Sequence, residues 1–182
     1  MKIIVAVTGA SGTIYARQCL EKLLQCSDVE QIALIVSRCG EEVARHEGID
    51  LPCDPRIVRY SVDDMFAPTA SGSARYDAMI IIPASMGTVG RIASGVSLSL
   101  IERSADVMLK ERRRLICVVR ETPYSLIHLR NMTTLTETGA IILPASPSFY
   151  SHPLDIEELA TTVTERVLVH AGINLPHYEW GE

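Results

Sequence analysis

The chain has 182 residues, of which 47% are hydrophobic and 21% charged, with a formal net charge of −5. This length suits one domain with a substantial core, and the apolar content fits a well-buried α/β fold, or one that hides further surface in an oligomer. The acidic balance gives no footing for nucleic acid or a membrane surface, and no apolar run reaches bilayer-spanning length.

The first stretch, Lys2 to Gly12, organises the rest. Ile3 to Val7 is an unbroken apolar run rich in Ile and Val, the pattern of a strand buried on both faces of a parallel sheet. Gly9 and Gly12 permit a tight turn, and Ala16, Cys19, Leu20, Leu23 and Leu24 then follow a helical period. A strand, a small-residue turn and a helix N-terminus favour an anion such as the phosphate of a nucleotide-type ligand. A plain βα turn with glycines needed only for packing is the alternative. The chain opens directly on this strand, without the basic start, apolar run and cleavage site of a secretory signal. The five cysteines (Cys19, Cys26, Cys39, Cys53 and Cys117) show no metal spacing and read as reduced, mostly buried residues of a cytoplasmic protein.

Gln31–Val36 is a second buried strand, followed by Ser37 and a helix from Cys39 to about His46 that Glu47 and Gly48 close. Residues 50–76 are less regular, with a short strand candidate over 56–60. Ala67–Ser73 reads as a loop, placed near a ligand or an interface or simply on the surface. Asp77–Ile82 is the next strand, ended by Pro83. A second small-residue turn, Ala84–Thr88, precedes a helix from Val89 to Ala93, and a longer one runs from about Leu98 to Glu111. Leu115–Val119 is a strand ending in Arg120-Glu121. Thr122 as N-cap with Pro123 at the first helical position predicts a helix whose Leu126, Leu129, Met132 and Leu135 share one face, stopped by Gly139. Ala140–Leu143 is the last strand, and a final helix spans about Asp155 to Ala171. The tail from Ile173 carries the only tryptophan, Trp180.

Strands alternating with helices predict an α/β, doubly wound, mostly parallel sheet, whose ligands bind at the carboxyl ends of the strands. Ser11, Ser37, Ser85 and Arg120-Glu121 all fall there. Arg103 and Lys110 share one helix face and with Arg120 could surround an anion, or form a solvated basic face. Glu121 at a strand end suits a general acid or base, or an arginine partner. Tyr150 lies on a Pro-framed loop that presents its hydroxyl or packs it away, and Arg166 by position is a surface residue. The five histidines form no pair at metal-ligand spacing, so no metal is expected.

Longer motifs add a family resemblance. Thr8-Gly-Ala-Ser-Gly12, Ala70-Ser-Gly-Ser73, Pro83-Ala-Ser85, the run Arg103–Arg113, Arg120-Glu-Thr-Pro123, His128–Met132 and Pro144–Tyr150 resemble the UbiX-type flavin prenyltransferases over nearly the whole chain. The resemblance implies a Rossmann-like, three-layer flavoprotein fold in one flavin-binding domain over 1–182, assembled as a dodecamer with active sites between subunits. It implies transfer of a dimethylallyl group from dimethylallyl monophosphate to N5 and C6 of reduced FMN, without a metal, and a product destined for UbiD-type decarboxylases. By position, Gly9, Ala10, Ser11, Ser37, Ser85, Met86, Gly87, Thr88 and Arg120 would contact the flavin. Tyr150 and Arg166, with Lys110 nearby, would meet the dimethylallyl phosphate. Ser11, Glu47, Arg103 and Glu121 would serve catalysis, Glu121 and Ser11 handling protons. Ala84 departs from the cysteine many members carry there, and Trp180 matches a family tryptophan, read either as a cover for the site or as packing of the tail. The rival readings are a cysteine-type decarboxylase of related fold, a flavin carrier without catalysis, and a direct aromatic acid decarboxylase.

Overall fold

Six parallel strands form one sheet in the computed structural model, which describes residues 1–175 and 181. In chain order they are β1 (Lys2–Val7), β2 (Gln31–Val36), β3 (Ile57–Tyr60), β4 (Ala78–Ala84), β5 (Arg114–Val119) and β6 (Ile141–Pro144). The helices are α1 (Thr13–Gln25), α2 (Arg38–Glu47), α3 (Met86–Ala93), α4 (Leu100–Lys110), α5 (Leu126–Glu137) and α6 (Ile156–Ala171). The spatial order is β3-β2-β1-β4-β5-β6, so the direction of winding reverses between β1 and β4.

Side-chain alternation along the buried strands builds the two cores. Ile3, Val5 and Val7 of β1, with Ala78, Ile80 and Ile82 of β4, face the α1 and α6 side, where Leu20, Leu23, Val163 and Val167 close the layer. Ile4 and Ala6, with Met79 and Ile81, face Val89, Leu100, Ile101 and Leu135 of α3, α4 and α5. Both faces are thus covered, the condition under which a parallel sheet is stable. Trp180 lies outside the described residues.

Five local expectations are corrected. Pro83 does not end its strand: β4 continues to Ala84 through a cis Ile82–Pro83 bond, with a register shift against β5 between Ile81 and Ala84. The helix after it begins at Met86 rather than Val89, because the Ser85 hydroxyl accepts from the Thr88 N–H and supplies the cap. Thr122 and Pro123 do not start α5 either. Their peptide bond is cis, and Ser125 caps the helix in a reciprocal box with His128. Leu126 and Leu129 are 60% and 47% exposed, so the apolar face expected of this helix buries only Leu135 fully and Met132 in part. Finally, residues 67–73 are not a loose loop. Two short 3-10 turns, Pro68–Ala70 and Gly72–Ala74, pack on α4, with Ala67 and Thr69 buried. The cysteines divide: Cys19 and Cys117 are buried, and burial pushes their thiols up to about 12, whereas Cys39 and Cys53 are exposed.

Helix α2 sits close over β1. A Cβ on Gly40 would stand 2.8 Å from the Val7 carbonyl oxygen, and one on Gly9 would stand 2.5 Å from Cys39 Cβ. Helix propensity alone favours alanine over glycine by about 1 kcal/mol, but here the backbone contact reverses the sign. Gly40→Ala is expected to cost about 1–2 kcal/mol in a urea melt through overpacking; a gain in stability would mean that α2 can lift off β1 freely.

Candidate active site

The carboxyl edge of the sheet is bound together by contacts beyond the strand ladders. The Ser37 N–H donates to the Val7 carbonyl at 2.9 Å, tying β2 to β1. Thr8 is buried and joins β1 to β4 twice: its hydroxyl donates to the Pro83 carbonyl at 2.7 Å and accepts from the Ser85 N–H at 2.8 Å. The Arg120 N–H donates to the Ala84 carbonyl at 3.3 Å, and the Ala145 N–H to the Val119 carbonyl at 2.9 Å. Five strand tips are therefore fixed as one rim, with the reversal of winding at its centre. Thr8 was visible in the sequence only as one letter of a motif; a polar residue closing an apolar strand run is the signal that points to it.

Three helices begin on this rim. Gly12, at a φ of 108°, turns the chain into α1. The Ser37 hydroxyl caps α2 by accepting from the Gly40 N–H at 3.0 Å, as Ser85 does for α3. The dipole at each of these starts favours an anion. The first of them is already filled, however. Glu47, at the far end of α2, accepts from the Gly12 and Thr13 N–H groups at 2.8 and 2.7 Å. Burial alone would raise its carboxyl, but the bonds it accepts from the Ser11 hydroxyl and from these N–H groups outweigh burial and hold it below its ordinary value. The expectation that the first turn itself receives a ligand's phosphate is thus modified: the resident Glu47 carboxylate holds that position, and the α2 and α3 turns remain.

Ser11 is the junction of the rim. Its hydroxyl reaches Glu47, and its carbonyl accepts from Arg120 Nε at 3.2 Å. Glu121 is half-buried beside it in sequence, with Oε1 accepting from the Thr122 N–H at 3.0 Å. Gly9 and Gly87 are exposed on the rim, whereas Ala10, Met86 and Thr88 are buried beneath it.

The remaining candidates lie elsewhere in the chain. Arg103 donates to the Ala70 carbonyl at 3.1 Å and pairs with Asp106 at 2.8 Å. Lys110 ends α4 and pairs with Glu111, just before the first residue of β5. Arg120 follows the last residue of that six-residue strand, about 20 Å away at strand rise. One chain therefore does not bring Lys110 and Arg120 together around an anion. Tyr150 and Arg166 both line a groove of about 1020 Å³ between α1 and α6, whose lining also includes Lys22, Thr162 and Glu165. Ser11 and Ser85 are not part of that lining. Among the described residues, no cluster of three His, Cys, Asp or Glu side chains is placed to hold a metal ion, and no helix is long and apolar enough to cross a membrane.

The sheet order, the reversal between β1 and β4 and the helix starts around it define a Rossmann-like α/β protein of the nucleotide-binding type. The family model described as Flavoprotein matches residues 1–169. The chain is 42% identical over 188 residues to the flavin prenyltransferase UbiX of Methanocaldococcus jannaschii, covering 100% of this chain and 99% of that one. AnUbiX (PadA1), solved in complex with FMN and dimethylallyl pyrophosphate, superposes with a TM-score of 0.90 at 39% identity, over 100% of this chain and 98% of that one. A dodecameric FMN-dependent UbiX-like decarboxylase from Escherichia coli O157:H7 superposes at 0.92 with 35% identity, over the full length of both. The chain belongs to the UbiX flavin prenyltransferase family.

Proposed function

We infer that this chain transfers a dimethylallyl group from dimethylallyl monophosphate to reduced FMN, with new bonds at N5 and C6, and that a UbiD-type decarboxylase takes up the product. The observation that carries this reading is the rim itself. The Gly9–Ser11 turn, Ser37, the Ser85–Thr88 turn and Arg120 occupy one edge at the reversal of winding, and the exposed Gly9 lets a flat ring approach the backbone. The α2 and α3 turns suit the flavin phosphate, with Arg120 beside it. FMN, when bound, supplies the nucleophilic ring; the chain's own groups orient it, exclude water and hold protons. Glu121 and Ser11, at the rim, are the proton-handling pair, and Glu47 fixes the Ser11 hydroxyl.

Tyr150 and Arg166 are the groups for the allylic phosphate, where a cation stabilises the departing anion. They line a different recess from the rim serines within one chain. A site assembled from several copies reconciles this separation. The exposed Leu126, Ile127 and Leu129 of α5 and Phe149 and Leu154 near α6 support such assembly, and the E. coli relative is a dodecamer. The decisive experiment incubates the protein with reduced FMN and dimethylallyl monophosphate and weighs the flavin. A gain of one C5H8 unit is expected. An unchanged flavin with release of CO2 from an aromatic acid would favour direct decarboxylation instead.

A further inference from the structure

Behind the Ser85 turn, Thr88 is joined to two side chains, Arg91 and Glu102, that are neither flavin contacts nor catalytic residues. Glu102 of α4 is only 3% exposed. It accepts from the Ser99 hydroxyl and, through Oε1, from Arg91 Nε at 2.7 Å. Arg91 Nη2 in turn donates to Thr88 Oγ1 at 3.2 Å, and Thr88 Oγ1 lies 3.1 Å from Ser85 Oγ. The guanidinium rests against the first turn of α3: Nη1 is 3.4 Å from where a Cβ on Gly87 would be. Thr88 itself is buried, so its hydroxyl has no bulk water to turn towards.

The direction of this chain follows from its donors. A guanidinium only donates, so Thr88 Oγ1 accepts from it. The field of the cation then turns the Thr88 hydrogen away, towards Ser85 Oγ. Ser85 Oγ also accepts from the Thr88 N–H. With both lone pairs engaged, the Ser85 hydroxyl has only its hydrogen left to offer, and it offers it to the open rim. Burial by itself would raise the Glu102 carboxyl, but Ser99 and Arg91 hold it below its ordinary value, so it stays an anion and keeps the guanidinium in place.

We propose that Glu102, Arg91 and Thr88 form a relay that presents the Ser85 hydroxyl to FMN as a hydrogen-bond donor, with Arg91 and Glu102 as positioning residues. The proposal rests on the rim being the FMN site. An acceptor on the flavin, a phosphate oxygen or a ring carbonyl, is the complementary group. The relay also explains why a half-exposed arginine on α3 is tied to a buried glutamate on α4 instead of extending into solvent.

The test compares FMN affinity, read by quenching of flavin fluorescence, in Thr88→Val, Thr88→Ser, Arg91→Met and the double variant Thr88→Val/Arg91→Met. Each of Thr88→Val and Arg91→Met should weaken FMN about tenfold, the worth of one oriented hydrogen bond. Thr88→Ser should restore the parent affinity. The double variant should be no weaker than either single one, because the relay is broken only once. In turnover, Arg91→Met should raise KM for FMN with kcat unchanged. Parent-like affinity in Thr88→Val, or a hundredfold loss in the double variant, overturns the relay. Should Arg91→Met fail to fold, the Thr88→Val and Thr88→Ser pair decides alone. A parent protein that binds FMN without producing prenylated flavin would end the prenyl-transfer reading and leave the relay to be judged by these affinities.

Discussion

Glu47→Ala is expected to lower the melting temperature by about 5–10 °C and to disable turnover. The carboxylate accepts from two backbone N–H groups at the start of α1 and from the Ser11 hydroxyl. Charge-assisted bonds of this kind contribute about 1.5–3 kcal/mol each when buried, and partial exposure brings the total for Glu47 to about 2–3 kcal/mol. For a chain of this length each kcal/mol moves the midpoint by about 2–4 °C. The loss also frees the Ser11 turn, which should reduce turnover more than stability. The pH dependence has a definite sign. The folded carboxyl lies below its ordinary value of 4.5, so its contribution is present above that pH and is lost as pH falls through the folded value. The stability gap between the parent and Glu47→Gln should therefore be widest near neutrality and shrink below about pH 4.5. A gap that stays constant from pH 7 to pH 3 would mean that the charge of Glu47 is not what holds the turn.

Glu121→Gln should bind FMN as the parent does and lose about 10²-fold or more in turnover, the usual range for removing a general acid or base. The side chain is half-buried on the rim and accepts from the N–H of the next residue. An amide can accept that same bond, so the fold should be indifferent to the change while proton transfer is not. Single-turnover mass analysis of the flavin separates the two effects. Full activity in Glu121→Gln would remove this residue from the chemistry and leave Ser11 to another partner.

Much of the architecture was legible because buried parallel strands advertise themselves. Ile3–Val7, Gln31–Val36 and Leu115–Val119 are short runs of Ile, Val and Leu, and all three are strands within a residue or two of their expected bounds. Convergence of serines on one edge followed from the alternation of strands and helices alone. What local patterns could not show were contacts made across the chain. Nothing near Glu47 in sequence marks it as the cap of a helix that begins 34 residues earlier, and nothing near Arg91 points to Glu102 on another helix. The Thr122-Pro123 helix start failed for a related reason: the cap rule reads composition, and Ser125 satisfied the same rule with better geometry three residues later. Lys110, grouped with Arg103 by spacing and with Arg120 by its strand-end position, is divided from Arg120 by the length of β5, which spacing along a helix cannot reveal.

The carboxylate seated on α1 also narrows what the fold accepts. In sheets of this order the pyrophosphate of a dinucleotide rests on the first helix, drawn by the same N–H groups that Glu47 has taken. An incoming diphosphate would have to displace a tethered negative charge, and would meet repulsion before finding a donor. A diphosphate placed on this turn would therefore compete with Glu47 for the Gly12 and Thr13 N–H groups, whereas the Ser37 and Ser85 turns hold no such carboxylate among the described residues.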